Sequence, residues 1–253
     1  MTYKRNKLIK YLVPDLEYRK DNSGNWILCA AAFLGLNKYF KTSFEQHFYF
    51  KDSIKCSKFV KEKIERDLYS ESHYMANLRS LEDCLHYLFN ALMNGKDGNI
   101  ELIGHNIINF DLPRFEKIMH DHGYPFWWND KGFEKGFNEG LFCHYIHDTR
   151  AIAEGYRAIM NFHNIKTKAT LDSAAEIFGI PINKERRHDP SYDCWLAAEV
   201  FIRDKFEKSA GLVCKNYIKR AADPSDYIPA EIYKASMESH YAVVKDSESD
   251  VII

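Results

Sequence analysis

The apolar and polar positions along the chain divide it into a strand-rich opening and a longer half in which strands and helices alternate. "KLIKYLVPDLE" (7–17), "NWILCAAAFLG" (25–35) and "FEQHFYF" (44–50) read as three strands, the first two joined by a turn at "KDNSG", so the opening is expected to be a β-meander. Two helical periods follow at "SKFVKEKIERDLY" and "LRSLEDCLHYLFNALM", the second setting Leu81, Leu85, Leu88, Phe89 and Leu92 on one side. After a turn at "GKDGN", the strand "IELIGHN" leads into the helix "FDLPRFEKIMHDHG", ending near Gly123. "LFCHYIHDT" predicts a further strand, and "RAIAEGYRAIM", "LDSAAEIFGI", "SYDCWLAAEVFIRDKF" and "AGLVCKNYIKRAA" predict helices. Strands first and alternation afterwards point to an α/β fold, a central mixed β-sheet of about five strands flanked by α-helices. Two segments fit this plan poorly: the aromatic and glycine-rich stretch 125–140, long for a helix-to-strand connection, and the tail from about Asp223.

Composition narrows the function classes. A chain of 253 residues, 45% hydrophobic and 15% aromatic, can bury one large core, with or without an appendage. Its 35 Lys and Arg nearly cancel its 36 Asp and Glu, so no global basic field draws in long nucleic acid, and a polyanion has to be held by a local patch or by bound cations. Cys29, Cys56, Cys84, Cys143, Cys194 and Cys214 are scattered without a C-x-x-C pair, which fits reduced thiols in a cytoplasmic protein. The apolar run "WILCAAAFLGL" is too short to span a bilayer, and the basic N-terminus is followed by no signal core, so a soluble protein without a membrane partner is expected.

Acidic residues stand where burial is expected. Asp189 suits an N-cap and Pro190 the first helical position, after which Asp193 shares a stripe with Leu196, Ala197, Val200 and Phe201. A buried carboxylate requires a partner, a hydrogen bond or a metal; taken alone, Asp193 also fits an ordinary first-turn acid. Alternation on the first strand puts Tyr11, Val13, Asp15 and Glu17 on one face, leaving two adjacent carboxylates that a cation would relieve. Pro14 is unusual in a central strand, which suggests a bulge there. Asp111 opens a helix after the turn "GHNIINFD", with Pro113 in the first turn, and His105 and Asn106 suit hydrogen bonds that fix that turn.

Asp15-Leu16-Glu17, then Asp111, then His188 with Asp193 five positions later, resemble in order the three motifs of the DEDDh 3′-to-5′ exonucleases, the superfamily of the polymerase III proofreading subunit, RNase T and oligoribonuclease. "HDTRAIAEGY" and "TLDSAAEIFGI" are similar to the flanks of those motifs, and the resemblance covers roughly residues 8 to 206. It implies a ribonuclease H-like exonuclease domain over 1–208, with 125–140 as a loop insertion and 209–253 as a helical extension and tail. It further implies two divalent cations, Mg²⁺ or Mn²⁺, held by Asp15, Glu17, Asp111 and Asp193, with His188 as general base. The implied partner is single-stranded or short RNA or DNA, with Leu16, Tyr18, His105, Asn106, Phe110 and Arg187 as candidate substrate contacts; several members are dimers, so a homodimer fits the resemblance. The family's usual threonine and glycine after D-x-E are replaced here by Tyr18-Arg19-Lys20.

Some features stay open at this level. Lys184, Arg186, Arg187, Lys166 and Lys168 suit either phosphate attraction or a solvated loop, and Trp127 and Trp128 suit either base stacking or packing. The competing function is a catalytically weak nucleic-acid-binding or partner-binding protein on the same fold. A third, a metal-binding protein built on His120, His122, His144 and His147, lacks a recognisable zinc spacing.

Overall fold

A computed structural model describes residues 8–20, 26–50, 78–130, 139–162 and 166–206. The meander forms as the alternation requires: β1 (Ile9–Lys20), β2 (Trp26–Leu36) and β3 (Thr42–Phe50) pair antiparallel in sequence order. β4 (Leu78–Arg79), only two residues long, pairs with the end of β3. β5 (Lys96–Gly104) joins β1 in parallel and β6 (Phe142–Asp148) joins β5 in parallel, giving the order β4-β3-β2-β1-β5-β6. The sheet therefore holds the five longer strands and β4 as a short sixth at one edge.

Two layers of helix cover the sheet. Leu12 and Leu16 of β1 point to one face, where they join the buried residues of α1 (Leu81–Gly95) and α2 (Asp111–Asp121). Leu85, Leu88, Phe89 and Leu92 of α1 are all buried there, and each such side chain contributes about 1.5–3 kcal/mol by leaving water. Val13 points to the other face, against α3 (Thr149–Phe162), α4 (Leu171–Ile177) and α5 (Pro190–Phe206). Asp15 and Glu17, two and four residues beyond Val13, continue that second face towards the carboxyl end of the strand.

Local chemistry sets the helix ends. Ser80 accepts from the Asp83 amide and starts α1, so the helix begins after Leu78 and Arg79 rather than at them. The expected turn at "GKDGN" is absent as a separate unit: α1 runs to Gly95 and β5 starts at Lys96, with Gly98 taking a φ of 67°. Gly123, at φ 76°, follows the end of α2, and Asp189 accepts from the Ser191 amide at 3.1 Å as the N-cap of α5.

The bulge expected at Pro14 lies elsewhere, since the β1–β2 register shifts between Glu17 and Tyr18. Pro14 is tolerated for another reason. The Leu16 amide donates away from β2, to Asp111, and alternation turns position 14 the same way. That side of β1 is paired with β5 only as far as Leu12, so no ladder partner is waiting for the N–H that proline lacks.

The expected turn at 20–24 lies mostly, and the expected helices at 57–69 and 210–222 wholly, outside the described residues, as do residues 131–138 of the 125–140 loop and the whole 209–253 extension. Among the described residues, no helix is long and apolar enough to cross a membrane. Cys29, Cys84, Cys143 and Cys194 are all buried free thiols.

Candidate active site

A cleft of about 650 Å³ opens at the carboxyl ends of β1, β5 and β6, the edge at which open α/β sheets hold their ligands. β1 parts from β5 after Leu12, and the gap admits the start of α2. Asp111, the first residue of that helix, is buried, and its Oδ1 accepts the Leu16 amide at 3.3 Å. The main chain between Asp15 and Glu17 is thereby tied to the third carboxylate.

The turn that delivers Asp111 is itself anchored. Asp148, at the end of β6, accepts from the amides of Asn106 at 2.8 Å and Ile108 at 3.4 Å. Thr149 Oγ1 contacts His105 Nδ1 at 3.1 Å and donates to the Gly104 carbonyl at 3.2 Å. Asn106 adopts a φ of 59°, a region asparagine tolerates better than most residues. Gly104 is needed for space, because a Cβ there would lie 2.8 Å from Cβ of Ile107. Neither Asp148 nor Thr149 is among the residues that the motifs single out, although their position where β6 runs straight into α3 is visible in "HDTRAI".

The third segment arrives through a short 3₁₀ turn, Lys184–Arg186, and a reversal at His188, whose φ is 65°. That reversal lets the His188 amide donate to Asp193 Oδ2 at 3.1 Å. The His188 ring stays 59% exposed, with Nδ1 3.9 Å from Glu17 Oε1. Asp193 is buried and ion-paired with Arg187, whose guanidinium also holds Asp172 of α4. Atoms of Glu17, His188 and Asp193 lie within 4.8 Å of one another, close enough to hold a metal ion.

Electrostatics mark the place as short of positive charge. Burial, then the charges of Glu17, Asp111 and Asp193, raise the Asp15 carboxyl well above its ordinary range. Burial pushes Asp111 up to about 7 against the Leu16 hydrogen bond that favours its anion. Burial also raises Asp193, outweighing the Arg187 ion pair. Burial opposes the charge on Arg187, but Asp193 and Asp172 more than compensate and hold it protonated. His105 is pushed down to about 4 by burial, so its ring is neutral near pH 7 and serves as a hydrogen-bonding group.

Asp15, Glu17, Asp111, His188 and Asp193 all line the cleft, as do Leu16, His105, Asn106, Phe110 and Arg187. Tyr18 does not; it packs edge-on to Phe110 and lies under the Arg114 guanidinium. Of the five basic candidates, Lys168 and Arg187 reach the cleft, and Arg186 is bound to Asp189. Trp127 donates to Glu116 at 2.6 Å and packs beside Phe126, and neither it nor Trp128 lines the cleft. The four histidines of the metal-binding reading are dispersed: His120 contacts Asp130, His122 the Ile118 carbonyl, His144 the Trp127 ring and His147 Glu101. Arg150, Glu154 and Arg157 also enter the cleft; no motif marks them, though their spacing on one helix puts them on one side of it.

No protein-family model and no curated protein matches the sequence. The fold does match solved structures. Exonuclease I aligns at a TM-score of 0.54 with 13% identity, over 83% of this chain and 43% of that one. E. coli exonuclease I in complex with a 5cy-dT13 oligonucleotide aligns at 0.52 with 10% identity, over 82% and 42%. The same enzyme with a dT13 oligonucleotide gives 0.52 and 12%, over 83% and 44%. The chain thus spans less than half the length of these proteins. With its mixed sheet flanked by helices on both faces, it shares the α/β, ribonuclease H-like fold of exonuclease I.

Proposed function

We propose that the protein is a metal-dependent 3′-to-5′ exonuclease that hydrolyses single-stranded or short RNA or DNA to nucleoside 5′-monophosphates. The observation that carries this reading is the meeting of four carboxylates from three distant segments, with a histidine at their edge, in one cleft of this fold. Support also comes from the exonuclease I structures of the same fold that hold single-stranded oligonucleotides.

The residues fit divalent cations. Asp15 is raised by burial and then by three neighbouring carboxylates, a repulsion that hard cations with oxygen ligands relieve. Asp15, Glu17, Asp111 and Asp193 are the residues that would hold them, and Mg²⁺ or Mn²⁺ there would supply charge stabilisation for the oxygens of an in-line displacement. His188 accepts the proton of the attacking water at its exposed ring, as a positioned imidazole can. Its amide holds Asp193 at the same time, so one residue fixes a ligand and moves a proton. Leu16 places the carboxylates on either side of it through its bond to Asp111.

The test is a gel of 5′-labelled single-stranded RNA and DNA incubated with Mg²⁺, Mn²⁺ or chelator, using the wild-type protein and His188→Ala. A metal-dependent ladder of shortening products that fades in the variant is expected. Intact strands in every lane overturn the reading in favour of a binding protein, and label released at once as mononucleotide reverses the polarity.

A further inference from the structure

The cleft has a basic wall as well as an acidic one. Arg150, Glu154 and Arg157 of α3 all line it, and spacings of four and three residues set them along one helix face roughly 10 Å long at ~1.5 Å per residue. Thr167 and Lys168, ahead of α4, extend the same lining. Arg157 pairs with Glu154, and Arg150 donates to Asn106 Oδ1 at 3.1 Å while its Nε stays 3.9 Å from Glu154. Lys168 is exposed and makes no ion pair among the described residues. Thr167 Oγ1 is buried without a hydrogen-bond partner among the described residues. Three cations against one carboxylate leave this wall positive, opposite in sign to the neighbouring Asp and Glu cluster.

That separation bears on what can enter. The formal net charge of −1 provides no long-range attraction, and the carboxylates repel a polyanion on their own. We propose that Arg150, Arg157 and Lys168 grip the backbone phosphates of a single strand next to the carboxylates, making the substrate a polynucleotide that reaches beyond the scissile bond rather than a mononucleotide ester. This inference rests on the exonuclease reading and adds the part of the cleft that recognises the strand. Arg150 is tied to the turn that leads to Asp111, since its guanidinium donates to the same Asn106 whose amide is bound by Asp148.

The experiment measures anisotropy of a 5′-fluorescein-labelled oligothymidylate against salt, with Mg²⁺, on the full chain. His188→Ala serves as the slow-turnover background, and Arg150→Ala, Arg157→Gln and Lys168→Ala are added singly and together. Lys117→Ala, a solvent-exposed charge on α2, is the control. The triple variant is expected to bind at least about tenfold more weakly, with the slope of log affinity against log salt shallower by about 2, since each phosphate left without its cation removes ~0.7 from the slope. In the wild-type background KM rises more than kcat falls. Binding and slope equal to the control overturn the inference, even if the wild-type protein cleaves. Binding that depends on these three side chains, without any turnover, upholds the phosphate contacts while removing the exonuclease reading. Lys168→Ala alone, in an exposed segment, keeps the test available if the triple variant does not fold.

Discussion

The Leu16 amide donates to Asp111 Oδ1 at 3.3 Å, across 95 positions of sequence. The bond makes Asp111 a structural acceptor as well as a candidate metal ligand, and substitution separates the two roles. Asp111→Asn keeps an acceptor for Leu16 and removes a charge that Glu17 repels. Asp111→Ala leaves the amide stranded, at about 1–3 kcal/mol. Both variants are expected to lose turnover, while urea unfolding in chelator shows Asn at least as stable as wild type and Ala less so. Equal stabilities for the two would remove the structural role.

Stability without metal is expected to fall as pH rises. Asp15 is raised well above, and Asp111 to about 7 from, an ordinary value of 3.8. In that range the native state binds more protons than the unfolded chain, so stability declines with increasing pH, the Asp111 share being lost by about pH 7 and Asp15 acting in the same direction. Melting in chelator from pH 5 to 8 checks the sign, and saturating Mn²⁺ is expected to flatten the curve. A Tm that climbs towards pH 8 in chelator contradicts it.

His188→Ala is expected to leave folding nearly unchanged, because the ring is 59% exposed and the bond to Asp193 comes from the backbone. Turnover should fall about 10²–10⁴-fold, the usual contribution of a positioned proton acceptor. Circular dichroism and single-turnover kinetics on the same samples test both halves.

Arg187→Ala leaves a buried Asp193 without its cation. Breaking such a pair costs ~3 kcal/mol or more, so the variant should melt lower in chelator. Divalent cations should then recover more stability than they give the wild type, and calorimetric titration with Mn²⁺ should show tighter binding. Weaker Mn²⁺ binding would mean that Arg187 organises the site rather than competing for it.

Gly104→Ala places a Cβ 2.8 Å from Ile107 Cβ, inside the turn that carries Asp111. Overpacking of this kind costs about 1–3 kcal/mol, and relief requires the turn to move. Loss of Mn²⁺ affinity together with a lower Tm is the expected pair of results. A lower Tm with unchanged Mn²⁺ affinity would show that Asp111 is positioned independently of the turn.

Much of the fold is legible in the chain because its signals are local. Asp189 and Gly123 mark helix ends through their own hydrogen bonds or backbone freedom. Alternation on β1 is enough to put Asp15 and Glu17 on the face of Val13. Pro14 misleads because proline propensity concerns a residue and its own amide, whereas its tolerance here depends on where the ladder with β5 stops. The short β4 reads as helix for a similar reason: nothing in Leu78 and Arg79 announces a pairing with β3.

By itself the sequence determined the kinds of element, their order, and which face of β1 and which end of α5 carry acid, since period and capping act over a few residues. Tertiary structure alone decided that these acids meet, that Arg187 is spent on Asp193 and Asp172, and that Arg150 and Arg157 turn into the same cleft. Those outcomes depend on strand order and on how helices pack across the sheet, which are settled by contacts between residues far apart in the chain, and periodicity names a face without naming its neighbour.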